Sequence, residues 1–142
     1  MSNLQLESET YDYISGLGTT EERVLCEQVV RFLFDDRSRK LRHISLGLLK
    51  AELDKKVIPN DKMLFDVVMH ISSGAIRLLE MKFKLVDMEK DTEYLLTHDE
   101  IHESMKCNVL YHPNTGVEVP NFKDKVVVYF EASHILKAFH EH

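Results

Sequence analysis

The sequence predicts an α+β fold, with helices through the first half and short antiparallel strands plus two short helices in the second. Three observations carry this. Apolar residues recur at helical spacing from Leu25 to about Lys82. Phe83–Glu100 reads as two short strands around a charged turn, ending in a helix-start signal. Lys125–Glu131 (K-V-V-V-Y-F-E) is a β-branched and aromatic run. With 142 residues the chain fits one domain able to bury a core without disulfide or metal support.

Residues 1–18 are polar and acidic and read as a flexible arm with a single helical turn. Thr19-Thr20-Glu21-Glu22 is a capping-box signature, so a first helix is expected over about 20–35 with Leu25, Cys26, Val29, Val30 and Leu33 on its apolar stripe. Cys26, lying on that stripe, is expected in the core. A basic connector, Arg37–His43, leads to Ser45, an N-cap for a second helix over about 46–56. Pro59 disfavours helical geometry at Ile58 and stops it. Asn60 caps a third helix carrying Leu64, Val67, Val68 and Ile71, and the helical spacing of Ala75, Ile76, Leu78 and Leu79 extends it to about Lys82.

Phe83–Val86 and Glu93–Leu96 then suit antiparallel strands, with Met88–Thr92 turning between them. Thr97-His98-Asp99-Glu100 is a second capping box, opening a helix to about Lys106. Asn108–His112 and Val117–Val119 read as a further hairpin around Pro113-Asn114-Thr115-Gly116. In Lys125–Glu131, Val126–Phe130 run without polar alternation, which predicts burial on both faces, within the domain or against another chain's strand. Ser133 opens a C-terminal helix.

The order of helices, the hairpin Phe83-Lys84-Leu85-Val86 to Glu93-Tyr94-Leu95-Leu96, and the helix start at Thr97 resemble winged-helix proteins, in particular bacterial regulators of the multiple-antibiotic-resistance type, over about residues 75–100. The resemblance implies a single winged-helix-like domain over 19–142 with a C-terminal β extension. It also implies duplex-DNA binding through the third helix, with Lys62, Arg77, Lys82 and Lys90 as DNA contacts. That helix carries Asp61, Asp66 and Glu80 against its cations, and the hairpin turn carries Glu89 and Asp91 around Lys90. Phosphate neutralisation supplies most of a groove reader's affinity, and these segments offer little of it.

Composition narrows the classes further. Hydrophobic residues make up 44% and charged residues 30%, a soluble globular balance. Neither a membrane-length apolar run nor a secretion-signal pattern is present, and two cysteines are too few for a disulfide framework, so a cytoplasmic protein with no membrane partner is expected. Net charge is −6, yet it is unevenly spread. Residues 1–36 hold two basic and eight acidic side chains, whereas residues 37–56 hold seven basic and two acidic. Within the basic segment, Arg37, Arg39, Lys40, Arg42, Lys50, Lys55 and Lys56 are candidate contacts. Guanidinium groups pair with phosphates or with an acidic protein face alike, and the same cations suit a solvated loop partly neutralised by Glu7, Glu9 and Asp12.

Donor spacing admits one metal set: His98 and His102 share a helix face, and Cys107 and His112 follow. The intervening residues are not H-E-x-x-H. Gly16-Leu17-Gly18 lacks the third glycine of a dinucleotide fingerprint, and Ser72-Ser73-Gly74 is no nucleophile elbow. The expectation is therefore a non-enzymatic interaction module without cofactor, docking to a protein partner within a larger bacterial assembly. The alternative is a DNA-binding regulator, which could be a homodimer.

Overall fold

Six helices and a three-stranded antiparallel sheet make up the described residues, confirming the α+β class. The computed structural model describes residues 2–53, 60–73 and 76–141. They fall into two units, Met1–Glu80 with Phe130–His142, and Met81–Tyr129. The sheet order is β2-β1-β3, with β1 Leu79–Asp87, β2 Thr92–Leu96 and β3 Val126–Ala132.

The first unit is built on α2 (Thr20–Phe34), which packs against α1 (Asn3–Ser15), α4 (Asp61–Ser73) and α6 (His134–Glu141). The Thr19 hydroxyl caps α2 by accepting from the Glu22 N–H at 3.2 Å. Leu25, Cys26, Val29, Val30 and Leu33 form its buried stripe, as the periodicity predicts. Asn60 Oδ1 accepts from the Met63 N–H at 2.7 Å and caps α4, whose Leu64, Val67, Val68 and Ile71 are buried. Phe130 of β3 is fully buried and exchanges two backbone hydrogen bonds with Ile44, both 2.8 Å.

Burial pushes the Cys26 thiol from its ordinary 9.0 up to about 12. Up to pH 9 the thiol is protonated folded or unfolded and contributes no pH dependence. Between about 9 and 12 only the unfolded chain ionises it, so stability falls as pH rises through that window. Titration with a thiol-reactive chromophore at pH 8 should therefore detect one native thiol, the exposed Cys107, and two after denaturation.

Several expectations are corrected here. The supposed arm is the helix α1: the Ser2 hydroxyl accepts from the Gln5 N–H at 3.1 Å, and Leu6, Thr10 and Ile14 bury one stripe. Thr10 enters that stripe at little cost because its hydroxyl donates to the Leu6 carbonyl at 2.7 Å. The second helix, α3 (Leu46–Glu52), stops before residue 56 because Leu53 turns extended and buries its side chain. The third helix does not reach Lys82. It ends at Ser73, and Leu79–Lys82 belong to β1. Backbone groups of residues 77–78 are instead satisfied across the chain: the Leu78 carbonyl accepts from the Ser133 N–H at 2.9 Å, and the Arg77 carbonyl from its hydroxyl at 2.7 Å. Burial of β3 on both faces holds only for Tyr129 and Phe130, since Val127 and Val128 are 39% and 38% exposed.

The second unit gathers Leu85, Leu96, Leu110 and Phe122 into its own core, with Phe83, Tyr94 and Ile101 packed on it. Register explains the choice of face. Phe83 pairs with Leu96 and Leu85 with Tyr94, so all four point to one side of the hairpin. Lys84 and Glu93 meet on the other at 3.2 Å. At the turn, Asp87 Oδ1 accepts from the Glu89 and Lys90 N–H groups, and Asp91 takes the left-handed φ of 51°. The expected second hairpin is reduced to a single bridge, Tyr111 with Glu118, beside a turn that places Gly116 at φ 72°.

Helix α5 (His98–Cys107) starts from a complete capping box: Thr97 Oγ1 accepts from the Glu100 N–H at 3.0 Å, and Glu100 accepts from the Thr97 N–H at 3.2 Å. Thr97→Ala removes the first of these and should destabilise the helix by about 1 kcal/mol, read as a lower urea midpoint.

Candidate functional site

The connector after α2 is held by its own short contacts, and these decide which cations remain outward. Asp35 caps a 3-10 turn over Asp36–Ser38, accepting from the Arg37 backbone N–H at 2.9 Å and from Arg37 Nε at 3.2 Å. The backbone hydrogen bond is the main reason its carboxyl sits below the usual carboxylate range, with the guanidinium adding to it. Arg37 also reaches Glu52 at 3.6 Å and lies over the Phe32 ring at 5.6 Å. Ser38, buried, donates its hydroxyl to the Leu33 carbonyl at 2.7 Å.

Beyond this anchored turn the chain opens into a cleft of about 730 Å³. Arg39, Lys40, Leu41 and Arg42 of the connector line it, together with Lys137 and His140 of α6. Glu131 and Glu141 contribute the acidic part of the wall. His140 Nε2 lies 2.8 Å from the Leu33 carbonyl and 3.2 Å from the Ser38 hydroxyl. A carbonyl oxygen can only accept, so Nε2 carries the hydrogen and the ring is fixed against the turn. Among the described residues, the side chains of Arg39, Lys40, Arg42 and Lys137 are in no ion pair with the chain's own carboxylates. Their charges are left for a ligand, and the cleft can hold an anion by charge-assisted hydrogen bonds.

Of the seven predicted contact residues, the structure thus brings three together. Arg37 is spent on Asp35 and Glu52, and Lys50 on Asp61 at 2.7 Å. Lys55 and Lys56 lie outside the described residues. Glu7, Glu9 and Asp12, the proposed neutralisers, make no ion pair with the connector among the described residues. Lys137 and His140 were not among the predicted contacts. Their only sequence signal is a C-terminal helix bearing a cation and a histidine three apart, which marks one helix face but not what it meets.

The four candidate DNA contacts divide between the units: Lys62 lies exposed on α4 and Arg77 exposed after it, while Lys82 and Lys90 belong to the second unit, on β1 and its turn. The four residues whose spacing admitted a metal, His98, His102, Cys107 and His112, are not brought together as a ligand cluster. His98 Nε2 donates to the Met81 carbonyl at 2.7 Å with its ring edge-on to Phe83. Cys107 donates to Glu103 at 3.2 Å, which raises its thiol's pKa. His112 Nδ1 accepts from the Asn114 and Thr115 N–H groups, and its ring rests on Tyr94. Among the described residues no three His, Cys, Asp or Glu side chains stand close enough to hold a metal ion.

No protein-family model matches the chain, and neither curated proteins nor solved structures return a match. Among the described residues no helix is long and apolar enough to cross a membrane.

Proposed function

We propose that this protein is a non-enzymatic interaction module of winged-helix type that docks an acidic segment of a protein partner in the cleft beside α6. The observation that carries the reading is the convergence of Arg39, Lys40, Arg42 and Lys137 around one cavity, without carboxylate partners of their own among the described residues, on a chain of net charge −6. Unpaired cations concentrated on an acidic body steer an anionic partner to one place. The walls are mixed rather than uniformly basic: Glu131, Glu141, Leu41 and Ala132 share them. A peptide offering carboxylates together with apolar and donor groups can satisfy such a lining, whereas a phosphate backbone offers acceptors alone and no donor for the two glutamates. The sequence of three helices, α2, α3 and α4, followed by the β1–β2 hairpin supports the winged-helix assignment.

Fluorescence anisotropy with a labelled glutamate-rich peptide and a labelled random-sequence duplex separates this reading from the regulator alternative. The module binds the peptide at about 50 mM salt and several-fold more weakly at about 200 mM, as partly exposed charge pairs are screened. Tight, steeply salt-dependent duplex binding without peptide binding would replace the module with a DNA-binding regulator.

A further inference from the structure

We propose that one occupant of the cleft is α1 of a second copy of this chain, so that the protein associates head to tail. This names a partner for the docking cleft and rests on that assignment. The chain carries both halves of a complementary pair: residues 1–36 hold eight acidic and two basic side chains, and residues 37–56 seven basic and two acidic. Across that boundary Asp35 pairs with Arg37, while among the described residues the carboxylates of α1 pair with none of these cations. No residue of α1 lines the cleft, and among the described residues Glu9 and Asp12 are in no ion pair.

The geometry of α1 suits the role. Leu6, Thr10 and Ile14 face its own core at four-residue intervals. The opposite stripe therefore presents Leu4, Ser8 and Asp12, again four apart, flanked by Glu9. Leu4 is 80% exposed, the apolar end of a stripe whose other end carries Asp12, with Glu9 beside it. The cleft offers the matching set, with cations from the connector and α6 beside the aliphatic surfaces of Leu41 and Ala132. Each copy would give its acidic stripe to one neighbour and its cleft to another. Such a contact joins unlike faces, so it propagates into rings or open chains instead of stopping at a symmetric dimer.

Sedimentation velocity of the full chain over a concentration series, at low and high salt, tests this with two charge-swapped variants, Arg39→Glu/Lys40→Glu and Glu9→Lys/Asp12→Lys. All four positions are exposed, and circular dichroism verifies that each variant folds. The unmodified chain should associate beyond two copies at low salt and dissociate at high salt. Each variant alone should require at least about tenfold higher concentration to associate, a tenfold change being the effect of about 1.4 kcal/mol. An equimolar mixture of the two should associate again, since the intact stripe of one meets the intact cleft of the other and the two reversed faces are themselves opposite in charge. A monomeric unmodified chain at every concentration overturns the inference, as does association that survives either swap or a mixture that does not pair. Binding of polyglutamate, measured on the same samples, keeps the two claims distinct. Polyglutamate bound by a monomer removes self-association alone, and polyglutamate unbound removes the docking cleft as well.

Discussion

Replacing Arg39 and Arg42 together by glutamate is expected to weaken binding of an acidic peptide about 100-fold. Both line the cleft and neither is held by a carboxylate of the chain among the described residues. Each reversal removes an attraction and adds a repulsion, and about 1.4 kcal/mol at each site gives a factor of ten. Exposed pairs contribute less than buried ones, which sets the estimate below the full value of a charge-assisted hydrogen bond. Lys50→Gln is the matched control. That lysine is already paired with Asp61 at 2.7 Å and lines no part of the cleft, so affinity should change less than about twofold. Titrations of the two variants at equal salt check both values.

The largest stability effect is expected at Phe130. Its side chain is fully buried, and its backbone exchanges two hydrogen bonds with Ile44. Phe130→Ala keeps the backbone pair and empties the side-chain volume, at about 3–5 kcal/mol. Against a total of about 5–15 kcal/mol for a typical domain, that is a large share. Val127→Ala, on the same strand but 39% exposed, should cost under about 1 kcal/mol. Urea denaturation followed by circular dichroism compares them, and equal midpoints for the two variants would contradict the assignment of Phe130 to the core.

The contrast between these two neighbours shows where the sequence speaks and where it does not. Local signals were legible wherever one residue type has one local use. Thr19, Ser45, Asn60, Thr97 and Ser133 each accept from a backbone N–H three residues on, as their spacing predicts. The hairpin Phe83–Leu96 was legible for a similar reason, because its alternation and turn residues act over short range.

One expectation failed on a pattern that fits two periods, and another on a stripe too short to register. Leu78 and Leu79 continue the helical spacing of α4, yet Leu79, Met81, Phe83 and Leu85 also alternate with Glu80, Lys82 and Lys84. The strand prevailed because the residue 77–78 carbonyls find donors on Ser133, more than fifty residues away. Similarly α1 hid behind its acidic residues: its stripe has only three members, and the middle one, Thr10, counts as polar until its hydroxyl closes on the Leu6 carbonyl.

The cleft was half legible. A charge count finds Arg39, Lys40 and Arg42 at once. It cannot tell them from Arg37 and Lys50, whose fates depend on Asp35, Glu52 and Asp61. Nor can it bring in Lys137 and His140, which reach the site only because α6 packs on α2 and His140 fixes itself to the Leu33 carbonyl and Ser38. Tertiary placement, not composition, makes the site.

The most direct test of the docking cleft is a backbone amide NMR titration of the full chain with a glutamate-rich peptide. The cleft predicts saturable shift changes at Arg39–Arg42 together with Ala132, Lys137 and His140, two stretches almost a hundred residues apart in sequence that both line this cavity. Changes confined to α4 and the turn Met88–Asp91, with the cleft amides unmoved, would contradict it.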